Sequence, residues 1–181
     1  LIEIDRIRIH GDLHLAQVLE RGGDVTFIDF EGEPARPIGE RSIKRSALVD
    51  VAGMVRSFDY VAHQGMRDAV ERGVGGDDLE PHGGRWGELA ADSFVAAYLD
   101  EARRPEVRSA ARLVPDDADD VGLLLDAFVL QKALSEVVYE LDNRPHLAWV
   151  PIAAIARTTE TSHADRSPRP PFALTAGTHA H

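Results

Sequence analysis

The chain has 181 residues, 44% of them hydrophobic and 28% charged, an ordinary composition for one folded domain with a real core. Its net charge of −11 disfavours nucleic acid and anionic lipid as partners, since both are held largely through Lys and Arg. Zero cysteines exclude a disulfide framework and Cys-ligated zinc or iron–sulfur sites, and neither an apolar run of about 18 residues nor a signal-peptide pattern is present. The expectation is a cytoplasmic protein with no nucleic-acid or membrane partner.

In chain order, Ile7 and Ile9, then Val18 and Leu19, are expected as short strands bracketing residues 10–17. Gly22, Gly23 and Asp24 signal a turn before a strand ending at Asp29. Residues 32–46 hold two prolines and several Arg or Lys and are expected to be an ordered loop. Val51, Ala52, Met54, Val55 and Phe58 are spaced for a helix with Asp50 near its N-cap. Residues 73–87 are Gly-rich, carry Pro81 and read as a surface loop, without the strand-before, helix-after context of a phosphate cradle.

Leu89, Ala90, Phe94, Ala97 and Tyr98 recur on one helical face, in a helix ending near Pro105. After acidic residues 116–120, positions 121–143 are apolar nearly all round, the pattern of a central buried helix, and Pro145 stops it. From residue 158 the chain has three prolines and no periodicity, so 158–181 are expected to lack regular structure. The fold class read from these elements is α+β, mainly α-helical, with residues 1–157 as the working domain.

The chemistry concentrates in residues 10–33, HGDLHLAQVLERGGDVTFIDFEGE. Asp12 is followed by Gln17 and, beyond the apolar run Val25 to Ile28, by Asp29. This is a phosphoryl-transfer layout: one carboxylate orients the acceptor hydroxyl, while an amide and a second carboxylate hold Mg²⁺ over the phosphates of ATP. The protein-kinase version is H-R-D-x-x-x-x-N followed by D-F-G. Here it reads His10, Gly11, Asp12, then Gln17, then Asp29, Phe30, Glu31. Asp12 is thus the candidate catalytic residue, and Gln17 and Asp29 the candidate metal and nucleotide ligands. Glu31 is either a further ligand or a solvated loop residue, and Asp12 and Asp29 have the rival reading of turn caps. Gln17 is one methylene longer than the kinase Asn, which alters the geometry of that ligand.

Gly11 in place of Arg is the form of the aminoglycoside phosphotransferase-like kinases of small molecules, which the loop resembles. The strings IRIHGDLHLAQVL, FIDFEGEPARP, DVAGMVRSFDYVA and VVYELDNRP resemble more narrowly the actinobacterial maltokinases, including those fused to trehalose synthase. The likeness runs from about residue 7 to 150, and FEGEPARP at 30–37 is its most specific part. It implies the C-terminal lobe of a protein-kinase-like fold and ATP-dependent phosphorylation of maltose to maltose 1-phosphate, feeding α-glucan synthesis, with trehalose synthase as a partner. Such kinases also have an N-terminal lobe with a strand Lys for the α- and β-phosphates. No V-A-I-K element precedes residue 10 and no G-x-x-x-x-G-K-[ST] replaces it, so the isolated chain is expected to be an inactive fragment lacking that lobe.

Lys132, Glu136, Glu140 and Arg144 form an i, i+4 stripe, read either as an exposed ion ladder or as a sugar-binding row. In the second reading Glu136, Glu140 and Arg144 bond vicinal hydroxyls, and Tyr139 or Tyr98 packs on a sugar ring. His14 is a candidate substrate contact or a support of the loop, and His10 a hydrogen-bonded loop anchor. Asp50 is a cap or a prop for the loop backbone, and Arg56 and Asp59 are a buried pair or part of a solvated face. Kinases of aminoglycosides, choline or homoserine, and a non-catalytic sugar- or partner-binding module, are the alternative functions. A cationic acceptor calls for an acidic or aromatic cage, a disaccharide for mixed donors and acceptors.

Overall fold

The structure, a computed structural model, describes residues 2–34, 36–74 and 79–164, with side chains described outside 79–81 and 160–164. It is a mostly helical α+β fold. Two strands, β1 (Val18–Arg21) and β2 (Asp24–Phe27), pair antiparallel with Val18 opposite Phe27 and Arg21 opposite Asp24. Among the described residues six helices follow: α1 (Ile38–Arg41), α2 (Leu48–Glu71), α3 (Leu79–Ala102), α4 (Pro105–Ala110), α5 (Ala118–Asn143) and α6 (Trp149–Ala164). One-turn 3₁₀ helices at Leu15–Gln17 and Pro145–Leu147 lead into β1 and α6.

Helix α2 is the organiser, packing on both α3 and α5, and α5 passes the stack on to α6. Leu48 and Val51 of α2 meet Val95 and Ala102 of α3, Val114 and Val121 in one buried cluster, with Phe94, Tyr98, Leu125 and Phe128 packed around it. Removing these apolar surfaces from water is the main drive for stacking the helices.

The hairpin expected at residues 18–29 is present, with β2 ending at Phe27. Ile7 makes only an isolated antiparallel bridge to Arg45, and Ile9 belongs to no strand: two residues without a paired neighbour on each side cannot propagate a ladder. The 32–46 loop contains the single turn of α1. The N-cap of α2 is Ala47, so Asp50 lies inside the first turn and its carboxylate is used elsewhere.

Three further expectations are corrected. Residues 79–87 are not loop but the first turns of α3. A Cβ at Gly87 would lie 3.1 Å from Ala62 Cβ and 3.5 Å from Phe58 O, so there the absence of a side chain serves the close approach of α3 to α2, and that glycine marks packing rather than a break. Helix α5 is not buried all round: Val121, Ala133 and Glu140 are buried, while Leu123, Leu134, Val138 and Leu141 are exposed. It packs on α2 along one side and α6 along another, which leaves a third, still apolar, side outward. Helical backbone also continues past residue 158 to Ala164, and residues 165–181, the rest of the expected irregular tail, lie outside the described residues. Among the described residues no helix is long and apolar enough to cross a membrane.

Candidate functional site

The 10–17 loop has no ladder to hold it, so its backbone groups need other partners. Asp50 supplies them from α2: Oδ2 accepts from His10 N at 2.7 Å and Oδ1 from Gly11 N at 2.8 Å. Burial pushes the Asp50 carboxyl above its usual range, against the pull of these two N–H groups. Of its two expected roles, cap and prop, it has the second. His10 is buried, its Nε2 2.7 Å from Ile28 O and its ring 4.9 Å from that of Phe30, which fits the anchor reading and ties the loop to the end of the hairpin. Ser57 Oγ accepts from Leu15 N at 3.2 Å, and α2 comes so close that a Cβ at Gly53 would lie 2.4 Å from Leu13 O.

Two candidate ligands meet beyond that anchor. Gln17 Nε2 donates to Asp29 Oδ2 at 2.9 Å and lies 3.5 Å from His14 Nε2. Asp29 has φ of 65°, the left-handed region that an L side chain occupies only at a cost, and such outliers concentrate at functional sites. Glu31 is exposed on the following turn. Among the described residues no three His, Asp or Glu side chains converge as a metal cluster. The pair nonetheless suits Mg²⁺: the amide and carboxylate offer hard oxygen donors, and Mg²⁺ in phosphoryl transfer takes one or two protein ligands and completes its shell with phosphates and water.

Asp12 is met from the far side of the molecule. Lys132 Nζ on α5 lies 3.0 Å from Asp12 Oδ1 and 2.9 Å from Glu33 Oε2, bridging the 10–17 loop and the segment after β2. Among the described residues, the side-chain contact of Asp12 is made through Oδ1, and no hydrogen bond is made to its Oδ2. Burial would push the Lys132 ammonium down, but the two carboxylates outweigh it and hold its pKa above the usual value.

The rest of the stripe is not an exposed ladder. Arg56 is 1% exposed and bonds Glu136 Oε2 through Nε at 2.9 Å and Asp59 Oδ2 through Nη1, so the buried Arg56–Asp59 pair is present; Arg157 of α6 joins it at 2.6 Å. Burial raises the Glu136 pKa against the pull of Arg56. Glu140, also 1% exposed, accepts from Tyr60 Oη at 3.1 Å and from Arg144 Nη2 and Nε at 2.6 and 3.0 Å. Burial, with these carboxylates beside it, pushes the Tyr60 hydroxyl far above its ordinary pKa. Arg144 is half exposed and its guanidinium lies 5.4 Å from the Tyr139 ring centroid. Tyr98 is elsewhere: it packs with Phe94 against the α2–α3 core, where burial raises its pKa and the Asp50 charge adds to the shift. Of the expected aromatic partners, the one beside the stripe is Tyr139.

Residues that the sequence did not nominate include Glu33, Tyr60 and Arg157, and Lys132 as a partner of Asp12. Asp12 and Lys132 are 120 positions apart, and no local pattern signals that pairing.

No family model matches the sequence. The sequence and the fold instead find likeness among glucosamine kinases. The chain is 34% identical over 146 residues to the glucosamine kinase of Streptacidiphilus jiangxiensis, covering 80% of this chain and 30% of that protein. It is 33% identical over 146 residues to the glucosamine kinase of Mycolicibacterium smegmatis, covering 81% and 33%. A solved glucosamine kinase in complex with glucosamine, ADP and inorganic phosphate superposes with a TM-score of 0.66 at 27% identity, over 88% of this chain and 36% of that one. A second crystal form gives 0.66 over 88% and 34%. The chain therefore spans about a third of the length of the curated relatives it matches.

Proposed function

We propose that this chain is the acceptor-binding and catalytic part, the kinase-like C-terminal lobe, of an ATP-dependent sugar kinase. The observation that carries the reading is the Gln17–Asp29 contact at 2.9 Å, on the segment that His10 ties back to the Asp12 loop. The sugar kinases it is similar to, one of them solved with ADP, support the same class. Asp12 accepts the hydrogen of the attacking hydroxyl at Oδ2 and takes its proton as the bond to phosphorus forms, while Lys132 fixes the carboxylate through Oδ1. Gln17 and Asp29 are the groups that would hold Mg²⁺, which when bound offsets charge on the nucleotide phosphates. Most of the acceleration comes from positioning and electrostatics.

The finer reading is maltose as acceptor, giving maltose 1-phosphate. It rests on a mixed donor and acceptor surface, with Arg144 and Tyr139 open to solvent and Glu136 and Glu140 holding the guanidinium groups beside them. His14, beside Gln17, is the proposed loop-side contact. Glucosamine is the second reading, favoured by the names of the relatives. Calorimetric titration of the chain with maltose tests the first. Arg144→Ala should weaken maltose binding about tenfold or more, because a sugar hydroxyl loses a charged partner. Wild-type affinity in that variant removes maltose from this surface. Cytoplasmic location and a trehalose synthase partner remain part of the maltose reading and stand or fall with it.

A further inference from the structure

Lys132 has a use beyond fixing Asp12. Its ammonium occupies the point where two carboxylates from separate segments converge, Asp12 of the catalytic loop and Glu33 after the hairpin, at 3.0 and 2.9 Å. Two carboxylates focused on one point are what a protein builds to hold a cationic group, and here the cation is part of the protein. The position of Lys132 is set by its helix. It stands one helical turn before Glu136, which Arg56 grips at 2.9 Å, on the side of α5 that packs against α2. We propose that Lys132 is a specificity determinant: it neutralises the Asp12–Glu33 pair and so reserves the acceptor position for neutral sugars, discriminating against sugars that carry an ammonium group.

The need for such an element follows from charge. A chain of net charge −11 draws cations toward it, so its overall field favours an amino sugar over a neutral one. A fixed positive charge beside the reacting hydroxyl opposes that bias where it matters, since selectivity between similar ligands is often built as a repulsive element against the wrong one. A neutral sugar is indifferent to the ammonium and can accept a hydrogen bond from it. A protonated amino sugar meets like charge there, at carboxylates whose charge Lys132 already balances through Asp12 Oδ1 and Glu33 Oε2.

This inference rests on Asp12 being the acceptor-orienting carboxylate, and the test separates the two. The chain is titrated calorimetrically with glucose and with protonated glucosamine, which differ at one substituent, using wild type, Lys132→Met and Lys132→Arg. Wild type should bind glucose about tenfold more tightly than glucosamine, a typical scale for one like-charge contact. Lys132→Met should abolish or reverse that ratio, and Lys132→Arg should keep it. A wild type that binds glucosamine as tightly as glucose overturns the proposal without any variant being needed. So does a folded Lys132→Met with an unchanged ratio, and both results leave the sugar-kinase reading standing. If neither sugar binds wild type, the sugar site itself falls and the proposal falls with it.

Discussion

The two halves of the candidate site are built in opposite ways. On the hairpin side, β1 and β2 are exposed almost throughout, and Asp29 is held by Gln17 and by its own left-handed backbone. On the helical side, Arg56, Glu136, Tyr60 and Glu140 lie between α2 and α5, each charge or hydroxyl met by a partner on the other helix, and Asp59 extends the set to Arg157 on α6. The contrast matches the two tasks proposed for them. A group proposed to admit and release a nucleotide gains from loose tethering to solvent, whereas groups proposed to shape an acceptor surface gain from a rigid frame.

Arg56→Ala should break the helical side hardest. It strands Glu136 as a buried charge without its partner, and removing one member of such a pair costs about 3 to 5 kcal/mol. Urea denaturation measures it; a loss below about 1 kcal/mol, the ordinary scale of an exposed pair, would erase the contrast. Asp12→Asn comes next, read in the longer kinase of which this lobe is proposed to be a part. It should lower kcat about 10²-fold with KM for sugar little changed, because the shape stays and the proton acceptor is lost.

Asp29→Gly sharpens the hairpin side by separating strain from function. Glycine occupies a φ of 65° without the penalty, so the variant should gain up to about 1 kcal/mol while losing Mg²⁺-dependent nucleotide binding. Destabilisation by the same substitution would show that loss of the Gln17 hydrogen bond outweighs the relief of the backbone.

An alkaline titration distinguishes buried from exposed tyrosine. Tyr60 and Tyr98 ionise above their ordinary value of 10.0 in the fold, Tyr60 further, so the unfolded chain gives up these protons first. Stability is therefore intact below pH 10 and falls as pH rises past it. Ultraviolet absorbance should show the phenolates of these two appearing late, and early ionisation of Tyr60 would mean that the α2–α5 seam is wet. The smallest effect belongs to Val25→Thr on exposed β2. It should change stability by no more than about 0.5 kcal/mol, with a larger loss pointing to a partner covering the hairpin.

What was legible in advance was whatever depends on near neighbours in sequence. The turn at residues 22–24 between two apolar runs gave the hairpin, and the three- and four-residue spacing gave α2, the later part of α3 and α5 as helices. The Asp12, Gln17, Asp29 spacing gave a site because a tight hairpin necessarily returns residue 29 to residue 17. Periodicity failed where one pattern has two physical uses. A glycine of the kind that usually ends a helix, Gly87, here lets α3 approach Ala62 of α2, and an apolar α5 that usually means full burial here leaves Leu134, Val138 and Leu141 facing out.

By itself, then, the sequence determined the helical class, the hairpin and which residues are candidates for phosphoryl transfer, all set by local geometry and by the chemistry of particular side chains. Tertiary structure decided which partner each charge has. Of the two readings of Asp50, cap or prop, packing selected the support of the 10–17 loop; Lys132 turned from one rung of a stripe into the counter-ion of Asp12 and Glu33; and of Tyr98 and Tyr139, Tyr98 went to the core. Those outcomes depend on how α2, α3 and α5 stack, because a carboxylate or ammonium taken from water pairs with whatever opposite charge or donor the packing brings within about 3 Å. Spacing along a single helix cannot name that group.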